Sequence, residues 1–213
     1  MTIKRTTLLL ALALLCACSQ APKTLLQTGD LVFVGLHKDM PDSSMSSAIA
    51  AATGPEDTLE IIHVGIIDVS GDSVYVLDAT IKHGVDRHPL DTLVQDFTRH
   101  DGTKPVLIFK RLKDNKPARE YVRNARQRLG QPYDFNFLPD NGACYCSELV
   151  RDSYFAGNEY VFENKPMNFK GPDGEYPAYW VKLFAKMGVP IPQDVPGTNP
   201  RDMMLSPALQ DIQ

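Results

Sequence analysis

The stretch Asn141-Gly-Ala-Cys-Tyr-Cys-Ser-Glu-Leu-Val150 sets a cysteine where a glycine-containing loop gives way to an amphipathic helix. From Ser147 onward Leu149, Val150, Tyr154 and Phe155 recur at helical spacing, which predicts a helix with one face turned inward and a rigid first turn. A helix start carries unpaired backbone N–H groups and the positive end of the macrodipole, and both favour thiolate over thiol. Cys146 is therefore the candidate nucleophile. Such a cysteine needs a base, and the run Ile61-Ile-His-Val-Gly-Ile-Ile67, which reads as a buried strand, offers His63.

That strand continues into a hairpin, because Ile61 to Asp68 and Val74 to Ala79 flank the turn residues Val69-Ser-Gly-Asp-Ser73. A two-residue turn at Ser70-Gly71 sets His63 directly opposite Asp78. A turn at Gly71-Asp72 sets His63 opposite Thr80, with Asp78 diagonal but on the same face. A three-residue turn without a bulge sends Asp78 to the far face, since a one-residue slip inverts every side chain. Either even-length turn lets the Asp78 carboxylate orient the imidazole. Gly65 shares the His63 face by alternation and is expected to leave an opening there for the cysteine or a substrate.

The remaining chain alternates short strands and helices, an α+β pattern over residues 28–213. Thr28-Gly-Asp30 leads into a first strand, Leu31 to Val34. A short helix capped at Asp42 or Ser43 follows, then a strand over Gly84 to Leu90 and a helical turn or two from Leu90 to Phe97. Pro105 to Arg111 reads as a strand, and Pro117 to Leu129 as a helix with proline at its start and Gly130 as its stop. The last predicted helix is Ala178 to Ala185. Beyond Met187 the proline- and glycine-rich chain is expected to wrap the surface as ordered coil.

At the N-terminus Lys4 and Arg5 precede an apolar run, Leu8 to Leu15, that is too short to span a bilayer and fits a secretory signal. Leu15-Cys-Ala-Cys18 resembles a bacterial lipobox. It implies a signal over residues 1–17, lipid on Cys18, a tether over 18–27 and a membrane partner through the anchor. Ser19, where aspartate would retain a lipoprotein in the inner membrane, favours the outer membrane. Only Cys144 and Cys146 then remain in the folded part, and a bridge across one intervening residue is strained. Cys144 reads as a small buried group. A zinc site built from these cysteines with His63, His83 and His88 is disfavoured by the spacing, so no metal or other cofactor is expected; His83, His88 and His100 read as surface residues. The formal charge of −4 becomes −6 once Lys4 and Arg5 leave with the signal, which excludes a typical nucleic-acid binder.

Taken together, Gly29-Asp30 before a strand, His63-Val-Gly65, Asp78-Ala79 on the next strand, Gly130, Tyr133-Asp134 and Tyr145-Cys-Ser-Glu-Leu-Val150 resemble the YiiX/YaeF-like permuted papain-like hydrolases, in the NlpC-like branch of the papain superfamily. The resemblance implies a circularly permuted papain-like core, an antiparallel sheet or partial barrel against helices, with the histidine strands ahead of the cysteine helix. It implies Cys146 as nucleophile, His63 as base and Asp78 as the orienting acid, where glutamate is commoner. Tyr133 and Tyr145 would line the substrate site, and the Cys146 amide would help bind an oxyanion. An envelope hydrolase or acyl transferase acting on a small peptide, amino-acid or acyl substrate follows, with cell-wall peptide amides as candidates. The alternatives are lipid acyl chemistry and a non-catalytic peptide- or amino-acid-binding protein.

Overall fold

The computed structural model describes residues 25–37, 44–53 and 59–212; the signal, Cys18 and the candidate caps Asp42 and Ser43 lie outside them. In chain order the first half holds β1 (Leu31–His37), α1 (Met45–Thr53), β2 (Leu59–Ser70), β3 (Ser73–Thr80), β4 (Gly84–Pro89), α2 (Leu90–Asp96), β5 (Val106–Leu112) and α3 (Ala118–Arg126). The second half holds α4 (Cys146–Ser153), β6 (Phe155–Ala156), β7 (Glu159–Tyr160), β8 (Lys165–Pro166), α5 (Ala178–Met187), β9 (Pro196–Gly197), α6 (Pro200–Met204) and β10 (Leu209–Asp211). Six strands form one sheet in the order β10-β5-β1-β2-β3-β4, with each pair antiparallel.

The largely apolar run of β2, interrupted by His63, is explained by burial on both faces of the sheet. Ile61, Val64 and Ile66 pack with Leu31, Phe33 and Leu77 against Tyr121, Val122 and Ala125 of α3 and Val150 of α4. Ile62 and Ile67 join Val32, Val34, Val76 and, from α2, Leu93 on the other side. Ile61 and Val64 share a face, although three apart, because Val34 pairs with His63 and Gly35 with Ile61, which leaves Ile62 as the extra residue of a β-bulge.

The Gly29-Asp30 motif is structural. Asp30, fully buried, accepts from Arg111 of β5 at 2.6 and 2.8 Å and from the Gln27 N–H at 2.7 Å, which pins the start of β1 to its neighbour. Gly29 has φ +84°, and a Cβ there would stand 2.7 Å from the Ala118 Cβ, so the motif also lets α3 close onto the sheet.

Beside the candidate caps that lie outside the described residues, Ser44 Oγ accepts from the Ser47 N–H at 3.1 Å ahead of α1. Two expectations change. Helix α4 ends at Ser153: Tyr154 caps it and Phe155 opens β6, which returns as β7 through the turn Gly157-Asn158 with φ +60° and +68°. The chain beyond Met187 is more than coil. α5 stops at the left-handed Gly188, and α6 follows with Asn199 as cap and Pro200 in its first turn. β10 then completes the sheet edge against β5.

Candidate active site

Cys146 is the first residue of α4, and the loop ahead of it fixes where that helix begins. The Cys144 N–H donates to the Pro132 carbonyl at 2.9 Å and the Asp134 N–H to the Cys144 carbonyl at 3.2 Å. The buried Asp134 carboxylate accepts from the Asn136 and Leu138 N–H groups at 2.7 and 2.9 Å. Tyr145, extended at φ −99° and ψ 167°, is the N-cap, and Glu148 accepts its N–H at 3.4 Å, the return half of a capping box. The Cys146 amide lies in the first helical turn, where no intrahelical acceptor exists for it, so it can donate to an oxyanion.

The β2–β3 hairpin takes the turn Gly71-Asp72, with Ser70 opposite Ser73 and Ile66 opposite Leu77. Gly71, at φ +57°, supplies the left-handed first position. Asp78 therefore stands diagonal to His63 on a shared face, and the bulge at Ile62 re-aims the strand just before the histidine. His63 Nε2 and Asp78 Oδ2 are 2.7 Å apart, with His63 buried and Asp78 fully so. Nε2 is thus engaged with Asp78, which leaves Nδ1 as the ring nitrogen available to Cys146. Burial opposes the imidazolium, but the charge on Cys146 and the hydrogen bonds with Asp78 and Cys146 outweigh it and raise His63 to about 10. Burial likewise works against the Asp78 carboxylate, yet hydrogen bonds from His63 and His88 hold it at about 2.

Gly65 is not an opening. A Cβ there would stand 2.5 Å from Val76 Cγ1 and 3.3 Å from Asp78 Cβ, so the glycine exists to let Asp78 and β3 close onto β2. His88 is not a surface residue either. It is 6 % exposed, and its Nε2 lies 3.0 Å from Asp78 Oδ1. β3 and β4 pair Asp78 with Asp86 and Val76 with His88, so parity alone puts His88 on the Asp78 face. Pairing the strand read at Gly84 to Leu90 with its neighbour was the signal that finds it. Cys144 is fully buried among Ala79, Val85 and Leu149, and burial pushes its thiol well up, so it stays protonated.

Tyr133 and Tyr145 both line a cavity of about 200 Å³ that opens on Cys146. Their hydroxyls are engaged within the protein. Tyr133 donates to Met45 Sδ at 3.8 Å; Tyr145 donates to Met167 Sδ at 3.6 Å and accepts the Thr198 N–H at 3.1 Å. The rest of the wall comes from residues that sequence reasoning did not single out: Met167, with Phe137, Phe169 and Trp180, whose three rings meet edge to face at 5.3–5.6 Å. Their scatter along the chain leaves no local pattern to read.

The sequence profile of the permuted papain-like amidase enzymes, YaeF/YiiX, matches residues 25–213. The chain is 26 % identical over 193 residues to the uncharacterized protein YiiX of Escherichia coli strain K12, covering 87 % of this chain and 85 % of that one. It is similar to a solved structure described as that of the metalloprotein YiiX from Escherichia coli O157:H7. The TM-score is 0.67 at 26 % identity, with 88 % of this chain and 96 % of that one covered. Among the described residues of this chain, no group of three or more His, Cys, Asp or Glu side chains is arranged to hold a metal ion. The Nε2 atoms of His63 and His88 both stand at hydrogen-bond distance from Asp78.

Proposed function

This chain belongs to the permuted papain-like amidase family and is a cysteine hydrolase of the amidase type; we propose that Cys146 is its nucleophile, His63 its base and Asp78 the residue that orients the base. The observation that carries the assignment is the buried His63–Asp78 pair at 2.7 Å, with the His63 imidazole also under the influence of the Cys146 charge at the start of α4. Cys146 Sγ attacks the amide carbonyl carbon, its proton resting on His63 Nδ1. The oxygen of the tetrahedral intermediate takes a hydrogen bond from the Cys146 amide, supported by the positive end of α4. As the C–N bond breaks, His63 returns the proton to the leaving amine and a thioester remains on Cys146. Water, deprotonated by His63, then attacks the thioester and releases the acid; a second nucleophile in place of water makes the same intermediate an acyl transferase. Asp78 keeps Nε2 as the proton-bearing nitrogen and holds the ring in plane throughout.

The domain is proposed to work in the cell envelope as a lipoprotein anchored through Cys18, on the outer-membrane side, from the lipobox-like Leu15-Cys-Ala-Cys18 and Ser19. Cell-wall peptide amides are the substrates that location offers. A specific observation favours a second reading of the substrate. Among the described residues, the cavity wall carries no Lys, Arg or His to meet the carboxylates of a wall peptide, while Phe137, Phe169, Trp180 and Met167 suit an uncharged apolar acyl group.

The test is a panel of peptide amides, aryl esters and acyl-phospholipids given to wild type and to Cys146→Ala, with intact-mass detection of acyl-Cys146. Turnover of one class with an acyl adduct, both lost in Cys146→Ala, is the expected result. Turnover that persists in Cys146→Ala removes Cys146 as nucleophile. Trp180 is the chain's single tryptophan and lines the cavity, so its fluorescence reads binding of each class to Cys146→Ala without any chemistry.

A further inference from the structure

Asp78 has two carboxylate oxygens, and the proposed triad uses one. The other, Oδ1, is held by His88 Nε2 at 3.0 Å from the opposite side, so the fully buried carboxylate sits between two imidazoles. His88 Nδ1 faces the Pro89 carbonyl oxygen at 3.1 Å. A neutral imidazole has one donor and one acceptor nitrogen. A ring whose two nitrogens face a carbonyl and an ionised carboxylate, both acceptors, carries both protons, and His88 is in that position.

The charges around it agree. Asp78 and Asp86 lie directly opposite one another on β3 and β4, an arrangement of like charges that destabilises a strand pair unless a cation lies beside it. On the side of α2, Asp96 is already taken by Lys82 at 3.0 Å and approached by His83 at 3.8 Å. Arg87 turns its guanidinium to Asp68, at 2.6 Å. With His63 on Asp78 Oδ2, His88 is the second imidazole beside the Asp78 and Asp86 pair and the one that meets Oδ1.

Resting on the Cys146–His63–Asp78 reading, we propose that His88 is a positioning residue for the reaction: it clamps the second oxygen of Asp78, so that the first stays ionised and aimed at His63 Nε2. Without the clamp, Asp78 is free to turn about its side-chain bonds, and the imidazole loses the partner that fixes its proton on Nε2. His88 touches neither the thiol nor, on this geometry, the reacting carbonyl. Its effect reaches Cys146 only through Asp78 and His63.

The test reads Cys146 directly and needs no knowledge of the substrate. The rate of Cys146 alkylation by iodoacetamide is measured by intact mass between pH 5 and 9, in the full-length protein and four variants: Asp78→Asn, His88→Ala, His88→Gln and the Asp78→Asn/His88→Ala double variant. Gln places an amide N–H where His88 Nε2 stands and serves as the conservative rescue. The expected result is a slowing of about tenfold to a hundredfold in His88→Ala, the worth of one hydrogen bond to a charged group. Most of the rate returns in His88→Gln, and His88→Ala causes no further loss once Asp78 is already Asn. His88 is overturned as a positioning residue if Asp78→Asn slows alkylation while both His88 variants match wild type. It is also overturned if His88→Ala costs the same factor in the Asp78→Asn background, or if His88→Gln is as slow as His88→Ala. If Asp78→Asn itself leaves the rate unchanged, the triad reading fails first and the clamp falls with it.

Discussion

Cys146, His63 and Asp78 stand on α4, β2 and β3, where ladder hydrogen bonds, a bulge and a capped helix start fix each backbone position. The cavity wall beside them is assembled from Phe137 in a loop, Met167 and Phe169 around a two-residue strand pair, and Trp180 on α5, separate pieces of backbone joined to one another by side-chain contact. The first region is stiff because its geometry is built from backbone hydrogen bonds, and the second can repack because ring-to-ring contacts tolerate small shifts. Bond-breaking needs placement to fractions of an ångström, whereas an apolar pocket needs volume and dryness. This division of labour separates kcat from KM, and it can be broken.

The largest expected effect comes from His63→Ala. Removing the proposed base is expected to lower kcat by about 10²–10⁴-fold, while KM and the Trp180 fluorescence response to an apolar acyl ligand stay near wild type. Steady-state kinetics and a fluorescence titration on the same preparation check it. A loss of ligand affinity that tracks the loss of kcat would show the two regions to be one unit.

A smaller effect separates them by pH. Asp78 is held at about 2 against an ordinary 3.8, so its ionised form is favoured in the folded state. The stability it contributes is present in full above about pH 4 and is lost as pH falls through about 2. By linkage it amounts to about 2 kcal/mol. The raised His63, which owes more to Cys146 than to Asp78, contributes stability that is fully present below about pH 6.5 and lost as pH rises through about 10. Urea unfolding of wild type and Asp78→Asn from pH 2 to pH 7 should show a gap that closes toward pH 2. A gap independent of pH would mean that the carboxylate charge is not what the two histidines hold.

The same division explains what the sequence makes legible. Apolar runs, a short turn and a helix-start cysteine are local patterns, so the hairpin, the α4 start and the side-by-side placement of His63 and Asp78 follow from counting along the chain. Gly65 misleads because alternation tells which face a residue takes but not what fills the space above it; Val76 and Asp78 fill it. His88 was legible in principle through strand parity, and was missed because a lone histidine beside a proline carries no pattern of its own. Asn199-Pro200 is a helix-start signal hidden in a stretch whose prolines suggest coil. The aromatic wall has no such local signal: residues 137, 167, 169 and 180 come together only through tertiary folding.

Tyr145 is where the two regions join, and it carries the smallest expected effect. Its backbone caps α4, its ring belongs to the aromatic wall, and its hydroxyl accepts the Thr198 N–H at 3.1 Å. Thr198 in turn accepts from Ser147 Oγ at 3.1 Å, so one residue of the C-terminal segment is tied twice to the first turn of the cysteine helix. Tyr145→Phe keeps the ring and deletes the hydroxyl, leaving the Thr198 N–H without its partner at a cost of about 1–2 kcal/mol. For a chain of this size that lowers Tm by about 2–4 °C per kcal/mol. If the hydroxyl is a brace between the regions, thermal melting shifts by that amount, kcat for a small aryl ester changes less than about threefold, and only bulky acyl substrates show a raised KM. If the hydroxyl also contacts the reacting group, kcat falls for every substrate alongside the same Tm shift. That outcome would move Tyr145 from the wall into the chemistry and erase the boundary between the two regions at the one residue they share.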